Sequence, residues 1–197
     1  MQLSDLIAAV QEDVRDPGAV RWSTTLITRY LNDGLLRAAK ISRALTVWTT
    51  NMIAGQNYYT LPPDLLIPKY IVIELQEERF RLDLRYGIPN WPASLQDVPE
   101  RAYIVSGGYY LEPTPSLAGT IYVVGVQRPP QLVNSTDTPS ILDCDNMIIA
   151  YAAWQCLRAD NDPAAAAFQQ QYEQERQEFS ILDAMKNPTS DIVLRTR

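Results

Sequence analysis

The chain has 197 residues, 46% of them hydrophobic and 20% charged, with a formal net charge of −6. That composition predicts a packed core in one large domain or two small ones. The lack of any histidine excludes Ser-His-Asp and Cys-His catalysis within the chain and removes the commonest metal ligand, and an acidic chain is a poor general nucleic-acid binder because phosphate contacts need Lys and Arg.

Leu3, Leu6, Ile7, Val10 and Val14 recur at helical spacing and predict a first helix over about 4–14, with Ser4 as N-cap. The start of the chain has no basic signal-peptide region, and no run approaches the ~20 apolar residues of a membrane span. A protein made in the cytoplasm, with no membrane partner, is expected. Asp16-Pro17-Gly18 is a turn that ends the helix. A second helix follows over about 24–44, with Ser23 as N-cap and Leu26, Ile27, Tyr30, Leu31, Leu35, Ala38, Ile41 and Leu45 as one apolar stripe. Gly34 interrupts it at a cost of up to ~1 kcal/mol relative to Ala, which suits close contact with another helix.

Residues 46–126 change pattern. β-branched and aromatic runs are punctuated by Pro and Gly, as in strands joined by turns. Val47–Thr50 and Tyr58–Leu61 are short strands. Tyr70–Leu75 is the strongest, and Pro68 delays its start to about Lys69. Gln76-Glu77-Glu78 reads as a hairpin turn into Arg79–Leu84, whose alternation leaves one face solvated. Residues 86–100 read as irregular. Ser106-Gly107-Gly108 predicts a tight hairpin between two aromatic strands, and Thr120–Val124 is the last strand.

A polar, proline-containing connection covers 127–141. A third helix over about 143–160 is apolar round much of its circumference and is therefore central. A fourth covers about 163–185, with Asp162 as N-cap, Pro163 at its first turn and Phe168, Tyr172, Phe179 and Leu182 as its buried stripe. Cys144 and Cys156 lie twelve positions apart on the third helix. That spacing is roughly 18 Å along a helix, too far for a disulfide, so they read as buried small hydrophobes in a reducing compartment. Residues 186–197 carry Lys186, Arg195 and Arg197 against one carboxylate, Asp191, around the apolar centre Ile192-Val193-Leu194. A basic tail on an acidic body suits docking on an acidic partner surface.

The expected fold class is α+β: a four-helix bundle formed by the N- and C-terminal helix pairs (1–45 and 142–185), with an inserted antiparallel β domain (46–126), the connection 127–141 and an extended C-terminal arm from 186 to 197. No catalytic constellation emerges. Glu77 and Glu78 are adjacent in a turn and solvated, so a carboxylate-pair hydrolase is disfavoured. Asp143 and Asp145 suit the start of a helix. Asp160-Asn161-Asp162 lacks the glycine and glutamate of a calcium loop. Ser106-Gly107-Gly108 lacks the lysine of a phosphate loop. Neither a cofactor nor a metal is expected.

One resemblance runs through nearly the whole chain. It is carried by Leu3-Ser4-Asp5-Leu6-Ile7, Asp16-Pro17-Gly18, Arg21-Trp22-Ser23, the Leu26–Gly34 segment, Ala54-Gly55-Gln56 with Tyr59-Thr60-Leu61-Pro62, Leu111–Pro115 and Tyr151-Ala152. In this order they resemble head-to-tail adaptor proteins of tailed bacteriophages. The resemblance implies a non-enzymatic virion protein at the neck of the portal vertex. It implies a ring, usually of twelve copies, that binds the portal protein and a downstream tail or neck protein while DNA passes through its lumen without specific binding. The C-terminal extension would dock on the portal, through Lys186, Ile192, Val193, Leu194, Arg195 and Arg197. The β domain would face the next tail component, with Glu77, Glu78, Gly107 and Gly108 as candidates at its turns. The alternative is a neck or tail-completion protein further from the portal.

Overall fold

The computed structural model describes residues 1–89 and 95–186. The chain forms two compact units, one of residues 1–44 with 128–186 and one of residues 45–127.

The first unit holds four helices: α1 (Leu3–Asp13), α2 (Thr24–Ile41), α3 (Asp145–Ala159) and α4 (Ala165–Lys186). Leu3, Leu6 and Val10 form the buried stripe of α1. Its first turn begins at Gln2, not Ser4, because the Asp5 carboxylate accepts the Gln2 N–H and the Leu3 and Ser4 N–H groups donate to the carbonyls of Asp137 and Ser135. The loop from α1 to α2 is built on Asp16. Its buried carboxylate accepts the N–H groups of Val20, Arg21 and Trp22 at 2.9, 2.9 and 3.0 Å, and Trp22 enters the core. Ser23 caps α2 as expected, its hydroxyl accepting the Leu26 N–H at 3.3 Å. Gly34 is where α2 meets α3. A Cβ there would stand 3.2 Å from the Tyr151 ring and 3.3 Å from the Ile148 backbone, so the small residue sets the approach of the two helices. The connection into α3 is held on α2 by Asn32, whose side chain donates to the Leu132 carbonyl at 3.0 Å and accepts the Leu132 N–H at 2.8 Å. That pairing buries Leu132 in the core.

The second unit contains three sheets. One has the order β1 (Thr46–Met52), β10 (Gly119–Gln127), β3 (Leu65–Leu75), β4 (Glu78–Arg81). Another runs β2 (Tyr58–Thr60), β8 (Gly108–Glu112), β7 (Arg101–Val105), β5 (Asp83–Tyr86). A two-stranded sheet pairs β6 (Gln96–Asp97) with β9 (Thr114–Pro115). Alternate residues of the two larger sheets share one core, including Met52, Tyr59, Ile71, Ile73, Ala102, Tyr109, Leu111, Ile121 and Val123. Pro68 does not delay β3, which starts at Leu65. Pro68 lies opposite Gly125 at a register shift of β10, where a missing N–H is tolerated. Gly125 is required there, since a Cβ would stand 2.4 Å from the Ile67 carbonyl oxygen.

The expected four-helix bundle with an inserted antiparallel β domain is therefore corrected to four helices and a β-rich portion of three sheets. α3 is apolar nearly all round and takes the centre, packing against α1, α2 and α4. α4 is rich in Gln and Glu, buries only Tyr172, Phe179 and Asp183, and lies mainly on α3. The β-rich portion is not uniformly antiparallel. β5 pairs with β7, and β6 with β9, in parallel.

Candidate assembly surfaces

The clearest unsatisfied surface lies at the end of α4. Leu182, expected in the buried stripe, is 45% exposed, and Ile181 and Met185 are 59% and 75% exposed. Spacing of four residues puts the last two on one face. Asp183 occupies the inward position instead. Its carboxylate accepts the Ser42 hydroxyl at 2.9 Å and the Arg43 N–H at 2.5 Å, and so closes the end of α2. Lys186, the last residue of α4, forms an ion pair with Asp143, which brings Leu142, 77% exposed, beside the same helix end. An apolar cluster of this kind marks a contact surface. The arm residues Ile192, Val193, Leu194, Arg195 and Arg197 lie outside the described residues.

The turn candidates of the second unit fall in two different hairpins. Gln76 and Glu77 close β3 to β4, both with positive φ, 50° and 69°, and Glu77 and Glu78 are exposed. Ser106 and Gly107 close β7 to β8, and Gly107 has φ 79°. Gly108 is buried within β8, with the Tyr58 ring where its Cβ would be, so it packs against an aromatic and does not present itself outward. The register does not bring the two turns together. Met52 and Gly119 share the Glu77 end of their sheet, whereas the strand ends that connect to them, Tyr58 and Glu112, lie away from Gly107. The outer face of β2, β8 and β7 carries the row Tyr58, Tyr110 and Tyr103, with Arg85 beyond it. Glu112 sits buried beneath this face, with the Arg101 guanidinium 3.7 Å away. The hydrogen bond from Tyr103 to Glu112 raises the tyrosine hydroxyl above its ordinary range.

A third surface is a cavity of about 500 Å³ between α2, α3 and α4. Arg37, Lys40 and Arg176 line it, with Asp33, Tyr151 and Tyr172. The Arg37 guanidinium lies over the Tyr151 ring, 4.8 Å from its centroid. Tyr151 and Tyr172 are buried and held by Trp154, stacked on Tyr172 at 5.7 Å and edge-on to Tyr151 at 5.8 Å. Arg176 pairs with Glu173 at 2.8 Å. Arg37 and Lys40 have no carboxylate partner among the described residues. No spacing motif announced this site, since its residues come from three helices separated in the chain.

Several other titratable groups are engaged within the fold. Burial pushes the thiols of Cys144 and Cys156 up to about 12, which leaves them inert. The Arg79 guanidinium, 2.6 Å from Glu74, holds that carboxyl below its usual range. The Met1 ammonium meets Asp145 at the start of α3 at 2.7 Å. Among the described residues no three His, Cys, Asp or Glu side chains gather as a metal site, and no helix is long and apolar enough to cross a membrane.

Two separately cored units carry apolar, aromatic and ionic patches on their outer surfaces. The model of the SU10 adaptor protein family matches residues 1–191, and the chain belongs to that family. It is a phage structural adaptor protein. No curated protein matches the chain.

Proposed function

We propose that this adaptor forms a ring, of about twelve copies as such adaptors usually do, that joins the capsid portal to the tail and lines the DNA exit channel. The observation that carries this reading is the family match over residues 1–191. The exposed apolar end of α4 supports it, because Ile181, Leu182, Met185 and Leu142 need a partner to leave water. That end lies where the chain enters the arm. The arm from 186 to 197, through Lys186, Arg195, Arg197 and the Ile192-Val193-Leu194 centre, docks on the portal. The exposed Glu77–Glu78 turn contacts the downstream tail or neck protein, and Ser106 and Gly107 form a second turn on the same unit, with Gly108 packed behind it in β8. A net charge of −6 suits a channel through which DNA slides without sticking, since like charge repels phosphate.

The test is the mass of the protein alone and mixed with its portal protein, by sedimentation. Wild type sediments as a ring, alone or with portal. A truncation lacking 186–197 keeps its helical signal and loses portal attachment. Unchanged portal binding by the truncation would remove the docking role of the arm.

A further inference from the structure

We propose that the cavity between α2, α3 and α4 seats the carboxylates at the end of α1 of a neighbouring copy, and that this ionic contact closes the ring. The inference deepens the ring reading and rests on it. The receiving side is unusual for so acidic a chain. Arg37, Lys40 and Arg176 line one concavity whose single lining carboxylate is Asp33. Arg176 is paired with Glu173, which leaves Arg37 and Lys40 without a carboxylate partner among the described residues. Arg37 is held over Tyr151 by the ring face, not by an acid. Arginine and tyrosine are the side chains that most often anchor protein contacts.

The donating side is equally uncompensated. Glu12 and Asp13 are exposed at the last turn of α1, which contains no basic residue. Carboxylates oppose the helix dipole at that end. Neither forms an ion pair among the described residues.

The two sides cannot meet within one copy. Met1 binds Asp145 at the start of α3, so α1 runs alongside α3. Arg21, just beyond α1, reaches Asp160 at the end of α3, and Gly34 of α2 packs on Tyr151. The last turn of α1 therefore lies beside the start of α2. Arg37 is about 20 Å further along α2 at ~1.5 Å per residue. A contact joining one end of a unit to a different place on the same unit is heterologous, and it generates a ring when the rotation closes. A protein carboxylate fits the cavity better than nucleic acid does. The cations line one local concavity beside buried tyrosines, whereas DNA needs a run of exposed cations along its backbone.

Charge reversal tests this in the full chain, with portal protein present and mass read by sedimentation. The Glu12→Lys/Asp13→Lys variant and the Arg37→Glu/Lys40→Glu variant each need about tenfold more protein to assemble, as expected for loss of a charged contact. The chain carrying all four changes recovers assembly, because the swapped charges pair again. Arg37→Gln/Lys40→Gln, which introduces no new repulsion, shows a smaller loss. Circular dichroism of each variant separates misfolding from lost contact. Rings that form undiminished in either reversed variant, or no recovery in the fourfold variant while its helices remain intact, would overturn the inference and leave the ring reading standing. A wild-type chain that never forms rings with portal would remove the ring reading itself. Double-stranded DNA that binds wild type and is lost with Arg37→Glu/Lys40→Glu, while rings persist, would reassign the cavity to phosphate.

Discussion

Asp16 illustrates how much a single side chain organises here. Its charged form is held by three backbone N–H groups, chiefly that of Trp22, so its carboxyl is held below the usual range. A carboxyl depressed in the folded chain stabilises above its unfolded value near 3.9, and that contribution disappears as the pH falls through the folded value. Asp16→Asn is therefore expected to melt below wild type at neutral pH, and the gap should shrink steadily in acid as the wild-type carboxylate protonates. Thermal melts from pH 7 to pH 2 check this, and a gap independent of pH would contradict it. Asp183→Ala leaves the Ser42 hydroxyl and the Arg43 N–H without their acceptor at a buried helix end. A loss of about 1–3 kcal/mol in chemical denaturation is expected, the usual penalty for stranding buried donors. Neither Asp183 nor Asn32 was legible in the sequence. Asn32 sits where a helical wheel puts a polar residue off the stripe, whereas Asp183 falls on the buried face of Tyr172 and Phe179, where a carboxylate is not expected. Each is satisfied by partners distant in the chain, Ser42 and Arg43 for Asp183 and Leu132 for Asn32.

At the level of elements, the start of α2 was readable because it follows local chemistry, whereas α1 has its N-cap at Gln2 and not Ser4, and β3 starts at Leu65 and not Lys69. Ser23 caps α2, and Gly34 permits the approach of α3, for reasons visible in single residues. Pairing was not readable. The parallel β5–β7 and β6–β9 pairs join strands distant in the chain, and nothing in a strand's own residues encodes such a register. The candidate surfaces divide in the same way. The Glu77 turn was legible from its polar run, whereas the cavity of Arg37, Lys40 and Arg176 was not, because three helices contribute to it. The β3–β4 turn gives a further prediction. Two non-glycine residues there hold positive φ, 50° and 69°, a conformation that costs side chains energy and that Asn-Gly adopts readily in hairpins. Gln76→Asn with Glu77→Gly should stabilise the protein by about 1 kcal/mol, read from the melting temperature. Under the proposed function the same change removes a tail-side carboxylate. The variant should therefore be more stable yet attach its downstream partner less well, and a gain in both would argue that the turn makes no contact.

For the whole molecule, the separate cores of the two units have a direct consequence. The core of the first contains Leu3, Trp22, Leu31, Leu132, Ile148 and Phe179, and no residue from 45–127. The core of the second is built only from residues between Trp48 and Val123. The second unit also begins and ends on neighbouring strands, because Thr46 of β1 pairs with Gly125 of β10. Such partners lie about 5 Å apart, so a flexible linker of about four Gly and Ser residues can replace 45–127 without straining the ends it joins. The shortened chain is expected to keep its helical circular dichroism and a single cooperative melt, while losing the strand signal. Collapse of the helical signal would show that the first unit needs the second to fold. The same chain separates functions, because Glu12, Asp13, Arg37 and Lys40 all remain while Glu77 and Glu78 are removed. With portal protein present it should still sediment as a ring and should no longer take up the downstream component. Loss of the ring in a chain whose helices are intact would place the contact between copies on the β-rich unit instead.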